Sequence, residues 1–412
     1  MKLPEKEAFL ETYGESERSE RRYQKLAEDF ARTYHWEGAE FFSAPGRTEI
    51  IGNHTDHNGG QAIAASIDMD TIGAAHENHS NIVRITSEGY EKEIVVDLAN
   101  LEKTPKEQGT QSLVAGMLEG MKKQGFSLSG FDAFVSTNVI AAAGVSSSAS
   151  FEMLLCAMVN YLFNEGSMCE TDYAKIGKYA ENVYWKKASG MMDQMACAVG
   201  GAVLFDFSGK EPEYRRLDFS FEAAGYQLVI VNTGKGHADL SLEYSKIPEE
   251  MGEAAKALGA DRLCETTLRE LLAHCGSIKN DRAVLRAIHF FEENRRVQSA
   301  VFAMEEKDTE KLLHLLGESG KSSFELLQNC YSLQDCSEQK ISLALALSEL
   351  FLQQIGAGTA RVHGGGFAGV IACIVPKEKS ADYVRYIAKY VGEENVYPMD
   401  IRAAGAVRVG GV

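Results

Sequence analysis

Residues 43–60 have the sequence Ser-Ala-Pro-Gly-Arg-Thr-Glu-Ile-Ile-Gly-Asn-His-Thr-Asp-His-Asn-Gly-Gly, and this stretch determines how the rest of the chain is interpreted. Pro45-Gly46 predicts a turn, and Ile50-Ile51 predicts a short apolar strand that ends at Gly52. Residues 52–60 are here called the polar loop. Within positions 53–58 this loop has five closely spaced polar side chains: Asn53, His54, Asp56, His57 and Asn58. Such a cluster suits a polyhydroxylated ligand, because each buried hydroxyl needs both a donor and an acceptor. A polar surface loop between two strands is the alternative.

Length and composition limit the classes of protein that the chain can represent. At 412 residues it is long for one hydrophobic core, and we expect two domains, residues 1–220 and residues 221–412. The net charge of -17 argues against nucleic acid and anionic membranes as partners, although it does not exclude ATP. The sequence has no apolar signal core at its start and no run long enough to span a membrane. The eight cysteines form no Cys-x-x-Cys pair, so we expect free thiols and a cytoplasmic protein.

Periodicity along the chain predicts a mixed α/β protein. The predicted elements are a helix or helix pair at 4–34, strand-loop-strand across 40–75, a hairpin at 82–98, helices at 110–124 and 171–187, strands at 131–139, 226–233 and 370–375, and a largely helical segment at 249–355.

A second motif, residues 140–150, has the sequence Ile-Ala-Ala-Ala-Gly-Val-Ser-Ser-Ser-Ala-Ser and connects a predicted strand to a strong helix. The free N–H groups of a helix's first turn and the helix dipole both favour phosphate there. The motif therefore predicts an anion site. A plain serine N-cap is the alternative.

Residues 46–60 resemble the galactokinase signature, whose usual form is Gly-Arg-(Val/Ile)-Asn-Leu-Ile-Gly-Glu-His-Thr-Asp-Tyr-Asn-Gly-Gly. Three positions depart from it: Glu49 replaces Asn, Asn53 replaces Glu and His57 replaces Tyr. Galactokinases belong to the GHMP family of small-molecule kinases. Residues 140–150 are similar to the phosphate loop of that family, with Ile140, Ala142 and Val145 in place of Pro, Gly and Leu.

Two later segments resemble the same family. Residues 188–195 are similar to the Gly-x-Met-Asp-Gln segment that carries the catalytic carboxylate, and Glu181 lies twelve residues before Asp193. Residues 358–369 resemble the C-terminal glycine motif, from which Val362, His363 and Ala368 depart. The resemblance implies a two-domain α/β GHMP kinase fold with the active site in the interdomain cleft. A Walker P-loop is not implied, because the Gly-x-x-x-x-Gly-Lys-(Ser/Thr) pattern is absent from the sequence.

The resemblance also implies roles for particular residues. Asp193 would be the catalytic base, and Arg47 would lie beside it. The sugar would contact Asn53, His54, Thr55, Asp56, Gly190, Asp193 and Tyr244. ATP would contact Ser87, Ala142, Ala143, Gly144, Val145, Ser146, Ser147 and Ser148. Mg²⁺ would be held by Ser148 and Glu181.

The implied activity is ATP-dependent phosphorylation of the anomeric hydroxyl of galactose, with a sugar and ATP as partners and a monomer or weak homodimer as the assembly. Because Asn53 replaces the Glu of the family signature, a second substrate is an alternative to galactose. The family's Glu at this position accepts a sugar hydrogen bond, and a sugar carrying a carboxylate, such as galacturonate, is accepted more readily by Asn than by Glu. A sugar sensor without turnover and a generic α/β binding protein are further alternatives. ATP-dependent phosphate transfer to a sugar would distinguish both from a kinase.

Overall fold

The computed structural model describes residues 1–140, 144–187, 189–234, 241–367 and 369–411. The helices are α1 Lys6–Tyr13, α2 Glu17–Tyr34, α3 Thr110–Lys123, α4 Ser147–Phe163, α5 Glu170–Tyr179, α6 Met192–Val199, α7 Ser241–Ala257, α8 Leu268–His274, α9 Asp281–Glu305, α10 Thr309–Ser322, α11 Lys340–Ile355 and α12 Ser380–Val391. The strands are β1 Glu40–Ile51, β2 Gln61–Glu77, β3 Ile82–Ser87, β4 Ile94–Asp97, β5 Phe131–Thr137, β6 Ala202–Asp206, β7 Glu213–Leu217, β8 Tyr226–Asn232, β9 Thr359–His363, β10 Val370–Pro376, β11 Val396–Met399 and β12 Val407–Gly411.

These strands form two sheets. In the first the order is β12-β1-β2-β5-β3-β4, and β6 and β7 extend from the first half of the long strand β2. Its pairs are antiparallel except for β3 and β5. In the second sheet the order is β11-β8-β10-β9, with every pair antiparallel. The predicted mixed α/β class is confirmed, as is the hairpin of β3 and β4.

Side chains that alternate along β1 reach apolar layers on both faces of the first sheet. Phe41 packs with Phe9 and Tyr23 of α1 and α2, whereas Phe42 packs in the layer formed by α3, α4 and α5. A strand buried on both faces is apolar along most of its length. β1 therefore holds the two helical layers together and brings the polar loop to its end.

The expected turn at Pro45-Gly46 is wrong, because β1 continues unbroken through both residues. The register of β1 against β2 shifts between Pro45 and Arg47, so Gly46 forms a bulge. Proline lacks an N–H and is tolerated in sheets at bulges. A side chain at Gly46 would also place its Cβ 2.7 Å from the carbonyl oxygen of Val145. The bulge thus lets β1 touch the phosphate loop.

The second sheet packs on the first through a shared apolar core. Ile51 and Ile63 from the first sheet lie in one cluster with Ile230 and Ile374 from the second. The other face of the second sheet is covered by α11 and α12. Strand β12 lies near the C-terminus yet pairs with β1 in the first sheet. The domain boundary predicted near residue 220 stays a prediction.

None of the described helices is both long and apolar enough to cross a membrane.

Asp70 of β2 is a fully buried carboxylate that ties the first two helices to the last segment of the chain. Its Oδ1 lies 2.8 Å from Arg22 Nη2, and its Oδ2 lies 3.0 Å from Arg402 Nη1. Tyr13 and Ser43 donate hydrogen bonds to Oδ2 at 2.7 and 2.6 Å. Burial alone would raise the pKa of Asp70, but the two arginines outweigh it and the pKa lies below its usual value.

We predict that Asp70→Asn lowers the free energy of unfolding by about 3–5 kcal/mol near neutral pH, because buried Arg402 loses its counter-charge. A carboxylate whose pKa is depressed in the folded state stabilises that state above its unfolded pKa and loses the effect as the pH falls. The difference between variant and wild type should therefore shrink below about pH 4. Urea denaturation at both pH values measures it.

The control for this experiment is Asp382→Asn, which breaks the exposed pair between Asp382 and Arg385. An exposed pair is worth about 0–1 kcal/mol. Equal losses in the two variants would contradict a structural role for Asp70.

Candidate active site

A cleft with a volume of about 720 Å³ brings together the polar loop, the segment around Asp193 and the C-terminal glycine motif. Its walls come from the end of β1 and the polar loop, from the segment around α6, from the start of α7 and from the glycines that follow β9. The lining residues are Arg47, Glu49, Asn53, His54, Asp56, His57, Gln108, Glu181, Lys186, Lys187, Ser189, Gly190, Met192, Asp193, Gln194, Tyr244, Ser245, Gly364, Gly365, Gly366 and Phe367.

Arg47 and Asp193 form a bidentate ion pair in this cleft. Arg47 Nε donates to Asp193 Oδ1 at 2.8 Å, and Nη2 donates to Oδ2 at 2.7 Å. Arg47 is buried, whereas 35% of the Asp193 side chain is still exposed. Burial raises the pKa of Asp193, but Arg47 and a hydrogen bond from Ser146 outweigh it and lower the pKa to about 2. Asp193 is therefore an ionised, firmly oriented carboxylate at neutral pH.

The described part of the phosphate loop lies directly against this pair. Arg47 Nη1 donates to the carbonyl oxygen of Gly144, and the Arg47 backbone N–H donates to the carbonyl of Val145 at 3.1 Å. Ser146 has the left-handed φ of 57° and donates its hydroxyl to Asp193 Oδ2 at 2.6 Å. Helix α4 begins at the next residue, so Ser147 and Ser148 form its first turn. Ala142 and Ala143, also expected at the nucleotide, lie outside the described residues.

Asn53 lies at the cleft wall, but its polar atoms are bonded to the protein. Its Nδ2 donates to Glu49 Oε1 and Oε2 at 3.1 and 3.2 Å and to the carbonyl of Gly364 at 2.8 Å. Its Oδ1 accepts from Asn329 Nδ2 at 2.8 Å. Arg361 donates to Glu49 Oε1 at 3.0 Å from the opposite side. The pKa of Glu49 lies above its usual value, because the effect of burial outweighs the opposing effects of Arg361 and Asn53.

Other residues expected to contact a sugar face the same cleft. His54 donates from Nε2 to the carbonyl of Gly365 at 3.0 Å, and burial lowers its pKa to about 3, so the ring is neutral. The Tyr244 ring packs on His54 with centroids 5.1 Å apart. The carboxylate of Asp56 lies against Gly190, where a Cβ would come within 2.7 Å of Asp56 Oδ2. These residues therefore form one polar wall.

Thr55 and Ser87 lie away from the cleft lining, and the described residues of the phosphate loop, 144–148, do not line it either. Thr55 is fully buried, and its hydroxyl donates to the carbonyls of Gly52 and Gln61. It therefore stabilises the conformation of the polar loop. Ser87 ends β3 beside Val135 of β5 and accepts a backbone hydrogen bond from Tyr90. The structure gives neither side chain a contact with the cleft, and a role for Ser87 at the nucleotide stays a prediction.

Glu181 lies in a single π-helical turn, Ala180–Tyr184, that follows α5. Lys187 Nζ contacts Glu181 Oε1 at 2.8 Å, and Gln194 Nε2 lies 3.4 Å from Oε2 and 3.2 Å from Glu152 Oε2. Burial and the neighbouring charge of Glu181 raise the pKa of Glu152 to about 8. Lys187 therefore places a positive charge beside the Glu181 carboxylate.

Sequence reasoning assigned no site role to Glu49, Lys187 or the glycines 364–366, although all of them line the cleft. The glycine motif was visible in the sequence, but its position before the predicted strand at 370–375 is also typical of an ordinary turn. Glu49 was visible as a departure from the family signature. Its contact with Arg361, which lies 312 positions later in the chain, gives no local signal.

Comparisons with known proteins first define the class. Residues 112–201 match the GHMP kinases N terminal domain. A mevalonate kinase from Methanococcus jannaschii shares the fold, with a TM-score of 0.62 at 16% identity over 90% of this chain and 99% of the other. The fold is that of a GHMP kinase.

Residues 28–77 match the galactokinase galactose-binding signature. The chain is 31% identical to a galactokinase of Limosilactobacillus fermentum over 91% of this chain and 95% of the relative. The structure of Lactococcus lactis galactokinase, solved in complex with galactose, has a TM-score of 0.79 and 27% identity, covering 93% of this chain and 99% of that one. The chain belongs to the galactokinase family.

We predict that Asn53→Asp lowers the free energy of unfolding by at least about 2 kcal/mol near pH 8, because it places a second carboxylate against Glu49. One carboxyl of such a buried pair has a raised pKa in the folded state. Its protonated form stabilises the fold at low pH, and the effect is lost as the pH rises through the folded pKa. The deficit should therefore be smaller near pH 5. Denaturation curves at both pH values measure the change.

Asn280→Asp is the matched control, since Asn280 donates to Glu253 Oε2 at 2.9 Å at the surface, where solvent screens the charges. Equal and pH-independent losses in the two variants would show that Asn53 has no buried acidic neighbour.

Proposed function

We propose that the protein transfers the γ-phosphoryl group of ATP to the anomeric hydroxyl of galactose. The observation that carries the proposal is the contact of Arg47, Asp193 and Ser146, which places an oriented carboxylate and a cation where the polar loop meets the phosphate loop. Phosphoryl transfer depends mainly on positioning and on stabilisation of charge, and these residues supply both.

In this proposal Asp193 accepts the proton of the sugar hydroxyl. A carboxylate with a pKa of about 2 is a weak base, so it takes the proton only as bond formation to phosphorus makes the hydroxyl acidic. A loose transition state tolerates such late proton transfer. The chief contribution of Asp193 is then to hold the hydroxyl oxygen in line with the phosphoryl group.

Arg47 has two functions in the proposal. It keeps Asp193 ionised, and through its contact with Gly144 it extends positive charge to the phosphate loop. The first turn of α4 presents backbone N–H groups beside it, which suits the phosphates of ATP. Cation and helix N-terminus together would stabilise the charge that develops on the transferred group.

Mg²⁺ bound to ATP would neutralise phosphate charge and hold the phosphates in line. The donors Glu181 and Ser148 fit it chemically, since Mg²⁺ prefers oxygen ligands and is usually bound by one or two carboxylates together with substrate phosphates. Glu181 borders the cleft, and Lys187 shares one of its oxygens. Lys187 would have to release that oxygen to a metal ion.

The alternatives receive less support. A sugar sensor without turnover needs no oriented base, yet the bidentate pair of Arg47 and Asp193 is present. Galacturonate would need a free donor or cation near Asn53, whose N–H groups are already bonded to Glu49 and Gly364. We further infer a cytoplasmic protein, since the eight cysteines are free, and a monomer or weak homodimer.

The deciding experiment is a coupled assay of ADP release with galactose, galacturonate, N-acetylgalactosamine, arabinose and glucose. The proposal expects galactose to give the highest kcat/KM. Absence of sugar-dependent ADP release with every sugar would overturn the assignment as a kinase.

We predict that Asp193→Asn keeps the fold and lowers kcat by roughly 10²–10⁴, because an amide cannot accept the hydroxyl proton. Thermal denaturation verifies the fold, and Asp218→Asn at an exposed position is the control. If the variant keeps more than about a tenth of the wild-type kcat, Asp193 is not the base.

We predict that Glu181→Ala raises the Mg²⁺ concentration needed for half-maximal activity, because one of the few protein ligands of the metal is removed. Excess Mg²⁺ should partly restore turnover. Glu213→Ala, which changes an exposed glutamate of β7, should leave the titration unchanged. An identical Mg²⁺ titration for Glu181→Ala and wild type would place the metal elsewhere.

A further inference from the structure

We propose that, of the neighbouring residues Glu49 and Asn53, it is Glu49 that binds a substrate hydroxyl in the cleft. The charge of Glu49 then makes the site select a neutral sugar over an acidic one. The inference rests on the proposed sugar kinase function and specifies its substrate class. It starts from the two departures at positions 49 and 53, which the structure places in direct contact.

Asn53 has little capacity left for a ligand. Its amide nitrogen makes hydrogen bonds to the Glu49 carboxylate and to the carbonyl of Gly364, which occupy its two hydrogens. Its oxygen accepts one bond, from Asn329, and is an uncharged amide oxygen with at most one lone pair left. Because only 1% of Asn53 is exposed, the side chain cannot turn toward a ligand without breaking these bonds. Asn53 is therefore a positioning residue.

Glu49 offers a stronger free acceptor than Asn53, because its oxygens carry the charge of a carboxylate. Its Oε1 accepts from Arg361 and Asn53, whereas Oε2 accepts only one bond, from Asn53, among the described residues. A carboxylate oxygen has about two lone-pair sites, so Oε2 can accept a further hydrogen bond. Glu49 borders the cleft together with Asn53. A sugar hydroxyl is a donor of the kind that this oxygen needs.

The orientation of Glu49 is fixed from three directions. Arg361 holds Oε1, Asn53 holds both carboxylate oxygens, and the Glu49 backbone N–H donates to His363 Nε2 at 3.2 Å. A side chain fixed in this way loses little further entropy when a ligand binds. The site is thus preorganised for one hydroxyl.

Charge decides between neutral and acidic sugars. The Glu49 carboxylate is compensated by Arg361, whose guanidinium is 1% exposed and also donates to the carbonyl of Ile50. His54, on the same loop, is neutral. The second cation that acts on Glu49 is Arg47, which is already paired with Asp193. The carboxylate of a sugar acid bound here would lie against Glu49 with no cation of its own to balance it. Like charges at short distance repel strongly where water is excluded.

The test compares galactose and galacturonate in wild type and in Glu49→Gln, by kcat/KM and by calorimetric titration of each sugar without ATP. We expect wild type to prefer galactose. We expect Glu49→Gln to weaken galactose binding by about tenfold, since a charge-assisted bond is roughly twice as strong as a neutral one, and to shift the ratio of the two sugars toward galacturonate by about tenfold or more.

Glu293→Gln is the matched control. Glu293 is also buried and paired with an arginine, Arg296, and it accepts the backbone N–H of Gly52 in the same loop at 3.0 Å, but it does not line the cleft. We expect it to lower thermal stability while leaving the ratio of the two sugars as in wild type. A purely structural effect of Glu49 would give the same result in both variants.

If Glu49→Gln does not fold, Glu49→Asp replaces it. This variant keeps the charge and retracts the carboxylate by one methylene, so galactose binding should weaken while galacturonate stays rejected. The inference is overturned if wild type prefers galacturonate, or if the folded Glu49 variant keeps the wild-type affinity for galactose and the wild-type ratio. Sugar binding without ATP turnover would refute the kinase proposal but not the role of Glu49.

Discussion

The structure depends most on a buried arginine that joins the two sheets. Arg361 on β9 of the second sheet donates to the Ile50 carbonyl and to the Glu49 carboxylate on β1 of the first. Taking these charges out of water costs free energy, and only close pairing with further hydrogen bonds offsets it. The pairing fixes how β1 lies against β9, and so fixes the distance between the polar loop and the glycine turn that follows β9. The cleft is a consequence of that distance.

Four residues in or beside the cleft have backbone conformations that side chains disfavour: His54, Ser146, Lys186 and Phe367. His54 and Ser146 have φ values of 60° and 57°, in the left-handed region that costs non-glycine residues about 1–2 kcal/mol. Each is held by a bond into the site, from His54 to the Gly365 carbonyl and from Ser146 to Asp193. These bonds hold the two side chains in place, and the packed framework around them maintains the conformation.

The burial of the site controls its electrostatics. Arg47 pairs with Asp193 and Lys187 pairs with Glu181, two of the acidic residues that line the cleft. Arg47 keeps Asp193 ionised near neutral pH. The net charge of -17 is a sum over the whole chain, so it does not reveal this local pairing of opposite charges.

Local patterns in the sequence were enough to predict the helix pair at the start, the hairpin of β3 and β4, the helix after the serine motif and the strand at Val370. Short-range hydrogen bonds and side-chain periodicity decide such elements, so they are visible in a short window of residues. The motifs also identified Arg47, His54, Asp56, Gly190, Asp193 and Tyr244, which the structure brings to one cleft. Only the tertiary structure revealed that Pro45-Gly46 is a bulge, that Thr55 faces away, and that Glu49 pairs with Arg361. Each of these depends on a contact with a residue distant in the chain or on the packing around the loop, and such contacts leave no periodic signal in the sequence.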